Sequence, residues 1–140
     1  MKRLFVDANV FLDAILERTP QFRYAERLLT EAAAKEVFVY TSSSLLLTVM
    51  YFLKKEGAMP MNVLIETTNG LLNVVSLVNP TEKTFRQGVY AGFTDLEDAV
   101  QYYTALQISD LDYFVTNNKK DYKKATNLLP VITPTEFFNL

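Results

Sequence analysis

Short apolar runs alternate along the chain with amphipathic stretches. Leu4-Phe5-Val6 is apolar, rich in strand formers and flanked by charge, which predicts a buried strand closed by Asp7-Ala8-Asn9. Val10, Phe11, Ala14 and Ile15 then recur at helical spacing. After Thr19-Pro20, Ala25, Leu28, Leu29 and Ala32 mark a second helix. Val37–Tyr40 predicts a second strand. Thr41-Ser42-Ser43-Ser44 supplies an N-cap for a mostly apolar helix over Leu45–Leu53, ended by Gly57 and Pro60. A helix from Met61 to Leu72 precedes a third strand over Val74–Val78, which Asn79-Pro80 stops, and a helix covers Glu82–Tyr90. Thr94-Asp95-Leu96-Glu97 fits a capping box with Thr94 as the cap, ahead of a helix buried through Ala99, Val100, Tyr103 and Leu106. Asp112–Thr116 predicts a fourth strand, Asn117–Tyr122 a turn into a short helix, and Val131-Ile132 a last strand before Pro134. Strands alternating with helices throughout mean an α/β fold: one domain over residues 1–140, with a mainly parallel central sheet flanked by helices.

Composition narrows the chemistry. The 140 residues include no cysteine and no histidine. Disulfide frameworks, thiolate metal sites, serine–histidine triads and imidazole catalysis are all excluded. The net charge of -2 argues against a protein that coats nucleic acid through a basic face, though not against local grip on a phosphate. No apolar stretch is long enough to span a membrane, and the start of the chain is too short in apolar residues for a signal peptide, so the expected location is cytoplasmic.

What remains is carboxylate chemistry. Asp7 ends the first strand, Asp121 lies just beyond the fourth, and Asp95, Glu97 and Asp98 crowd a helix start. Ligands of an open parallel sheet sit outside the carboxyl ends of its strands. Two carboxylates about 4 Å apart repel by about 4 kcal/mol at an effective dielectric near 20, and a bound cation reverses that sign. Each acid also has a plainer role. Asp95, Glu97 and Asp98 complement a helix dipole, Asp121 can cap a short helix, and Asp13 reads as a solvated helix position. Asp7 has the least room for one, because an acid ending an apolar strand is costly unless paired or ligated.

Leu4-Phe5-Val6-Asp7-Ala8-Asn9-Val10-Phe11-Leu12-Asp13 resembles the opening of a PIN domain, the nuclease fold of VapC-type toxins. Leu96-Glu97-Asp98-Ala99 resembles that family's central acidic segment. The run from Phe114-Val115-Thr116 through Asn118 to Asp121-Tyr122 resembles its late segment, and Val131–Phe138 its close. The resemblance implies a metal-dependent ribonuclease using Mg²⁺ or Mn²⁺, neutralised by an antitoxin protein and often homodimeric. It makes Asp7, Asp98 and Asp121 the catalytic acids and metal ligands, with Asn9, Thr116 and Asn118 as supporting polar groups. Beside what the resemblance assigns, Glu97 is a further candidate metal ligand and Asp95 a further polar support, both by their nearness to Asp98, and Lys119 and Lys120, which adjoin Asp121, are candidate contacts to RNA. A metal held this way would activate water for attack on the phosphodiester. One position departs: where the family has a Glu six residues after a Ser, counting from Ser42 gives Thr48, and residues 42–53 contain no acid. A PIN-like module that binds RNA or protein without cutting is therefore the alternative.

Other folds with an Asp after the first strand fit less well. A haloacid-dehalogenase-like phosphohydrolase wants an Asp where Asn9 stands. A receiver domain wants an acid after the third strand, and a dinucleotide-binding domain wants glycines after the first. Phe22, Tyr24, Met59, Met61, Tyr102, Phe137 and Phe138 exceed the needs of a small core and are candidates for a dimer surface.

Overall fold

β1 (Lys2–Val6) carries three consecutive fully buried residues, Leu4, Phe5 and Val6, as a strand covered on both faces requires. The computed structural model describes residues 1–140. β2 (Val37–Ser42) and β4 (Tyr113–Val115) flank β1, β3 (Val75–Val78) lies beyond β2, and β5 (Val131–Ile132) beyond β4. Every pairing in the order β3-β2-β1-β4-β5 is parallel, so the α/β expectation holds and the sheet is wholly rather than mainly parallel. Seven helices surround it: α1 (Ala8–Leu16), α2 (Phe22–Ala33), α3 (Ser43–Lys55), α4 (Met61–Val74), α5 (Glu82–Val89), α6 (Leu96–Ala105) and α7 (Pro134–Phe138). A 3₁₀ turn covers Lys119–Tyr122. No helix is long and apolar enough to cross a membrane.

The chain order reverses at β1: β2 and β3 lie to one side, β4 and β5 to the other. Such a switch point leaves a crevice outside the carboxyl ends of the strands. Asp7 directly follows β1 and Thr116 directly follows β4, so both stand at its mouth.

Local signals place the helices around this crevice. Asp7 caps α1, its carboxylate accepting from the Ala8 N–H at 2.8 Å. Ser42 caps α3, accepting from the Leu45 N–H at 3.0 Å. At α6 the expected cap shifts by one residue. Asp95, not Thr94, accepts from the Asp98 N–H at 3.0 Å. The two side chains compete for one role, and the carboxylate gains more from the helix dipole.

Behind the crevice lies an aromatic cluster. Phe114 stacks on Phe5 with ring centres 5.2 Å apart and packs on Tyr122 at 4.8 Å; Tyr102 joins at 5.5 Å from Phe114. Tyr102, expected as a surface aromatic, is fully buried, and its hydroxyl donates to the Leu129 carbonyl at 2.6 Å. Of the other expected surface residues only Met61 is exposed; Phe22, Tyr24, Met59, Phe137 and Phe138 are half-buried.

Candidate functional site

Asp7 is 5% exposed and sits at the centre of a dense set of hydrogen bonds. Besides the Ala8 N–H on Oδ1, its Oδ2 accepts from the Thr116 hydroxyl at 2.9 Å and the Tyr122 hydroxyl at 3.0 Å. Asn9 ties the same strand ends together: its Nδ2 donates to Thr116 Oγ1 at 3.1 Å, and its Oδ1 accepts the Asn117 N–H at 3.0 Å. The Asn118 N–H donates to Thr116 Oγ1 at 3.1 Å. Asn118 in turn hydrogen-bonds Asp121 through its side-chain amide. The supporting polar positions Asn9, Thr116 and Asn118 thus form one connected set with Asp7 and Asp121.

Burial raises the Asp7 carboxyl above the usual aspartate range. Bonds from Thr116, Tyr122 and Ala8 oppose that rise, and the charge of Glu97 adds to it. Asp98, on the first turn of α6, is half-buried and pushed up to about 7. Burial is the largest cause, followed by the charges of Asp7, Asp95 and Asp121; Tyr122 opposes the rise. The Tyr122 hydroxyl, which donates to Asp7, is thus also within the influence of Asp98. Burial and those two carboxylates hold it protonated far above the ordinary phenol range.

Asp7 and Asp98 face a cleft of about 240 Å³ whose wall also includes Asn9, Thr48, Asp95 and Glu97; Asp121 is not in that wall and joins the set through Asn118. Thr48 stands in the cleft where the family resemblance places a Glu, and its hydroxyl donates back to the Ser44 carbonyl at 3.2 Å. Asp95 and Glu97 are exposed at the rim. Of the two lysines expected to meet RNA, Lys119 is paired with Glu136 at 3.0 Å, which holds Glu136 below the usual glutamate range, while Lys120 is exposed. Lys119 and Lys120 line a separate, larger pocket of about 500 Å³ that has Tyr122 in its wall.

Asp13 is a correction. It is not a solvated helix position but 3% exposed, held by Arg18 Nε at 2.9 Å and by the side-chain amide of Asn117. Its partners come from outside the helical periodicity, Asn117 from 104 residues away. Tyr122 and Arg18 were also missed as site residues. Tyr122 had a signal, an aromatic directly after Asp121, but an aromatic at the end of a short turn is equally a core residue.

The donor set is chemically suited to a hard divalent cation. Every candidate ligand is an oxygen, and the carboxyls of Asp7 and Asp98 are raised by burial among like charges, a cost that a cation relieves. No three acids stand in one group able to close on an ion. The pair Asp7 and Asp98 is what this arrangement offers, and Mg²⁺ commonly takes one or two carboxylates with waters completing its shell.

The sequence pattern of the PIN domain matches residues 3–120, most of the chain, running through Asp7, Asp98, Thr116 and Asn118. The chain belongs to the PIN domain family. The chain is 25% identical over 141 residues to Ribonuclease VapC1 of Aquifex aeolicus (strain VF5), covering 97% of this chain and 93% of that protein. In three dimensions it is similar to VapBC2 from Rickettsia felis, solved bound to a DNA fragment from their promoter, with a TM-score of 0.67 at 16% identity over 94% of this chain and 98% of that one. A toxin–antitoxin complex from Klebsiella pneumoniae superposes with a TM-score of 0.66 at 23% identity, over 94% and 97%. The VapC-type resemblance read from the three acidic segments is thereby borne out. This PIN domain differs from the expected pattern at Thr48.

Proposed function

We propose that this chain is a divalent-metal-dependent endoribonuclease acting as the toxin of a toxin–antitoxin pair. The observation that carries the reading is the convergence of Asp7, from the end of β1, with Asp95, Glu97 and Asp98, from the start of α6, on one cleft, where burial first and then the charges of Asp7, Asp95 and Asp121 push Asp98 up to about 7. Its likeness to a ribonuclease along nearly its whole length supports the same reading.

Asp7 and Asp98 would hold Mg²⁺ or Mn²⁺, with Asp121 and Glu97 adding negative potential close by. The ion, when bound, lowers the pKa of a coordinated water and offsets charge on the phosphate oxygens. The remaining groups fix the acids. Thr116, Ala8 and Tyr122 orient the Asp7 carboxylate, and Asn9 and Asn118 hold Thr116 in turn. Outer bonds of this kind set ligand direction and basicity.

The substrate is RNA, and the antitoxin is a separate protein. Exposed apolar residues are present for a partner or a second copy: Leu47 and Tyr51 one turn apart on α3, and Met61 and Ile65 one turn apart on α4. A homodimer belongs to the same proposal. Thr48 favours the second reading, a PIN domain that binds without cutting. The deciding experiment incubates total RNA with the protein, Mg²⁺ or Mn²⁺, and EDTA controls. Metal-dependent fragmentation that Asp7→Asn abolishes supports the nuclease. Intact RNA at micromolar protein, with the fold unchanged, overturns it in favour of the binding module.

A further inference from the structure

Arg18 is the one basic side chain in the wall of the acidic cleft. Its position is built by backbone geometry. Glu17 ends α1 in the left-handed region, with φ 52°, and folds the chain back so that the Arg18 N–H reaches the Asp13 carbonyl at 3.3 Å. Gly57, just past α3, lets the ends of α1 and α3 meet. A Cβ there would stand 2.8 Å from the Leu16 side chain and 2.7 Å from the Leu53 carbonyl oxygen. This junction brings Glu56 within reach of Arg18.

The guanidinium is anchored on two sides. Nε donates to the buried Asp13 at 2.9 Å, and Nη1 to Glu56 at 3.3 Å. An arginine carries five N–H donors, so most of its fork stays free. With only 30% of the side chain exposed, it is far more restrained than a surface lysine. In the same wall stands Phe52, half-buried on α3, its ring edge-on to Tyr51 with centres 5.1 Å apart. A restrained guanidinium and an aromatic ring lining the same cleft as the carboxylates match the repeating chemistry of single-stranded nucleic acid: phosphate for the fork, base for the ring.

We propose that Arg18 and Phe52 form the substrate-gripping end of the cleft, Arg18 binding a phosphate of single-stranded RNA and Phe52 stacking one base. This rests on the ribonuclease reading and names the part of the cleft that holds the strand. Asp13 and Glu56 act as positioning residues through Arg18.

The test measures binding, separately from cutting. The probe is a fluorescein-labelled, mixed-sequence 2′-O-methyl RNA of twelve nucleotides, titrated by anisotropy with Mg²⁺ present across a salt series. Arg18→Gln should weaken binding about tenfold and flatten the logarithmic salt slope by about 0.7, the value of one phosphate contact on a single strand. Arg18→Lys, which keeps the charge opposite Asp13 and guards against misfolding, should keep the slope while losing part of the affinity. Phe52→Leu should weaken binding about fivefold or more with the slope unchanged. A purely structural Arg18 would move the melting temperature and leave the slope alone. Unchanged affinity and slope in folded Arg18→Gln, in a protein whose wild type fragments total RNA, overturns the grip and leaves the nuclease standing. A wild type that neither binds the probe nor cuts RNA overturns both.

Discussion

The two acids at the heart of the cleft are held in opposite ways. Asp7, at the end of β1, is immobilised by three donors within 3.0 Å from a backbone amide, a threonine and a tyrosine. Asp98, on the first turn of α6, is surrounded by Asp7, Asp95 and Asp121, and Tyr122 alone lowers its pKa. Burial raises both carboxyls, but Asp7 is pre-positioned by hydrogen bonds that oppose the rise, whereas Asp98 meets mainly like charge. The contrast assigns distinct roles. Asp7 is an anchor whose geometry is set by its hydrogen bonds, and Asp98 is a group with little but a cation to offset its charge.

Losing the anchor should have the largest effect. Asp7→Asn should lower metal-dependent RNA cleavage by about a hundredfold or more, since loss of outer-shell support alone costs about 10–100-fold. Gel analysis of cleaved RNA against the wild type checks this.

Asp98 should give a pH signature of stability. Its carboxyl titrates near 3.8 when unfolded and at about 7 in the fold. Its contribution is fully present below the ordinary value and is lost as pH rises through about 7. In EDTA, wild type should therefore lose thermal stability relative to Asp98→Asn from about pH 4 to 7, after which the gap stays constant. Saturating Mg²⁺ should narrow that gap at pH 8. Melting curves across pH decide it, and an unchanged gap from pH 4 to 8 would dissolve the contrast between the two acids.

Thr48→Glu sharpens the contrast from the empty side of the cleft. A further carboxylate about 4 Å from the cation adds about 4 kcal/mol of raw attraction per unit charge at an effective dielectric near 20, largely cancelled by the acids already there. Mn²⁺ binding should tighten roughly tenfold by calorimetry, while the metal-free variant melts earlier than wild type. The smallest effect belongs to Tyr122→Phe. It removes one of three close donors to Asp7 and keeps the aromatic packing, so stability should fall by no more than about 3 kcal/mol in denaturant titration.

The strands were legible in the sequence because a parallel sheet covered on both faces needs unbroken apolar runs, and Leu4-Phe5-Val6 is one. Acids directly after such runs were legible for the same reason: Asp7 leaves the sheet at the switch point. What was hidden depends on partners far along the chain. Asp13 has the helical spacing of a solvated residue, and only Arg18 and Asn117 make its burial tolerable. Tyr102 and Tyr122 carry polar tips that suit surface or core equally, and folding sends both inward, to the Leu129 carbonyl and to Asp7. The cap of α6 was misplaced by one residue because Thr94 and Asp95 both satisfy the local rule. Glu136 removes Lys119 from the free lysines across a separation of 17 residues.

Calorimetric titration of Mn²⁺ into wild type, Asp7→Asn and Asp98→Asn at pH 8 tests the pairing of these two acids most directly. Saturable binding to wild type and at least tenfold weaker binding to each variant are expected, with all three folded. Equal affinity in wild type and Asp98→Asn would contradict the pairing, because Asp98 would then hold no cation in this cleft.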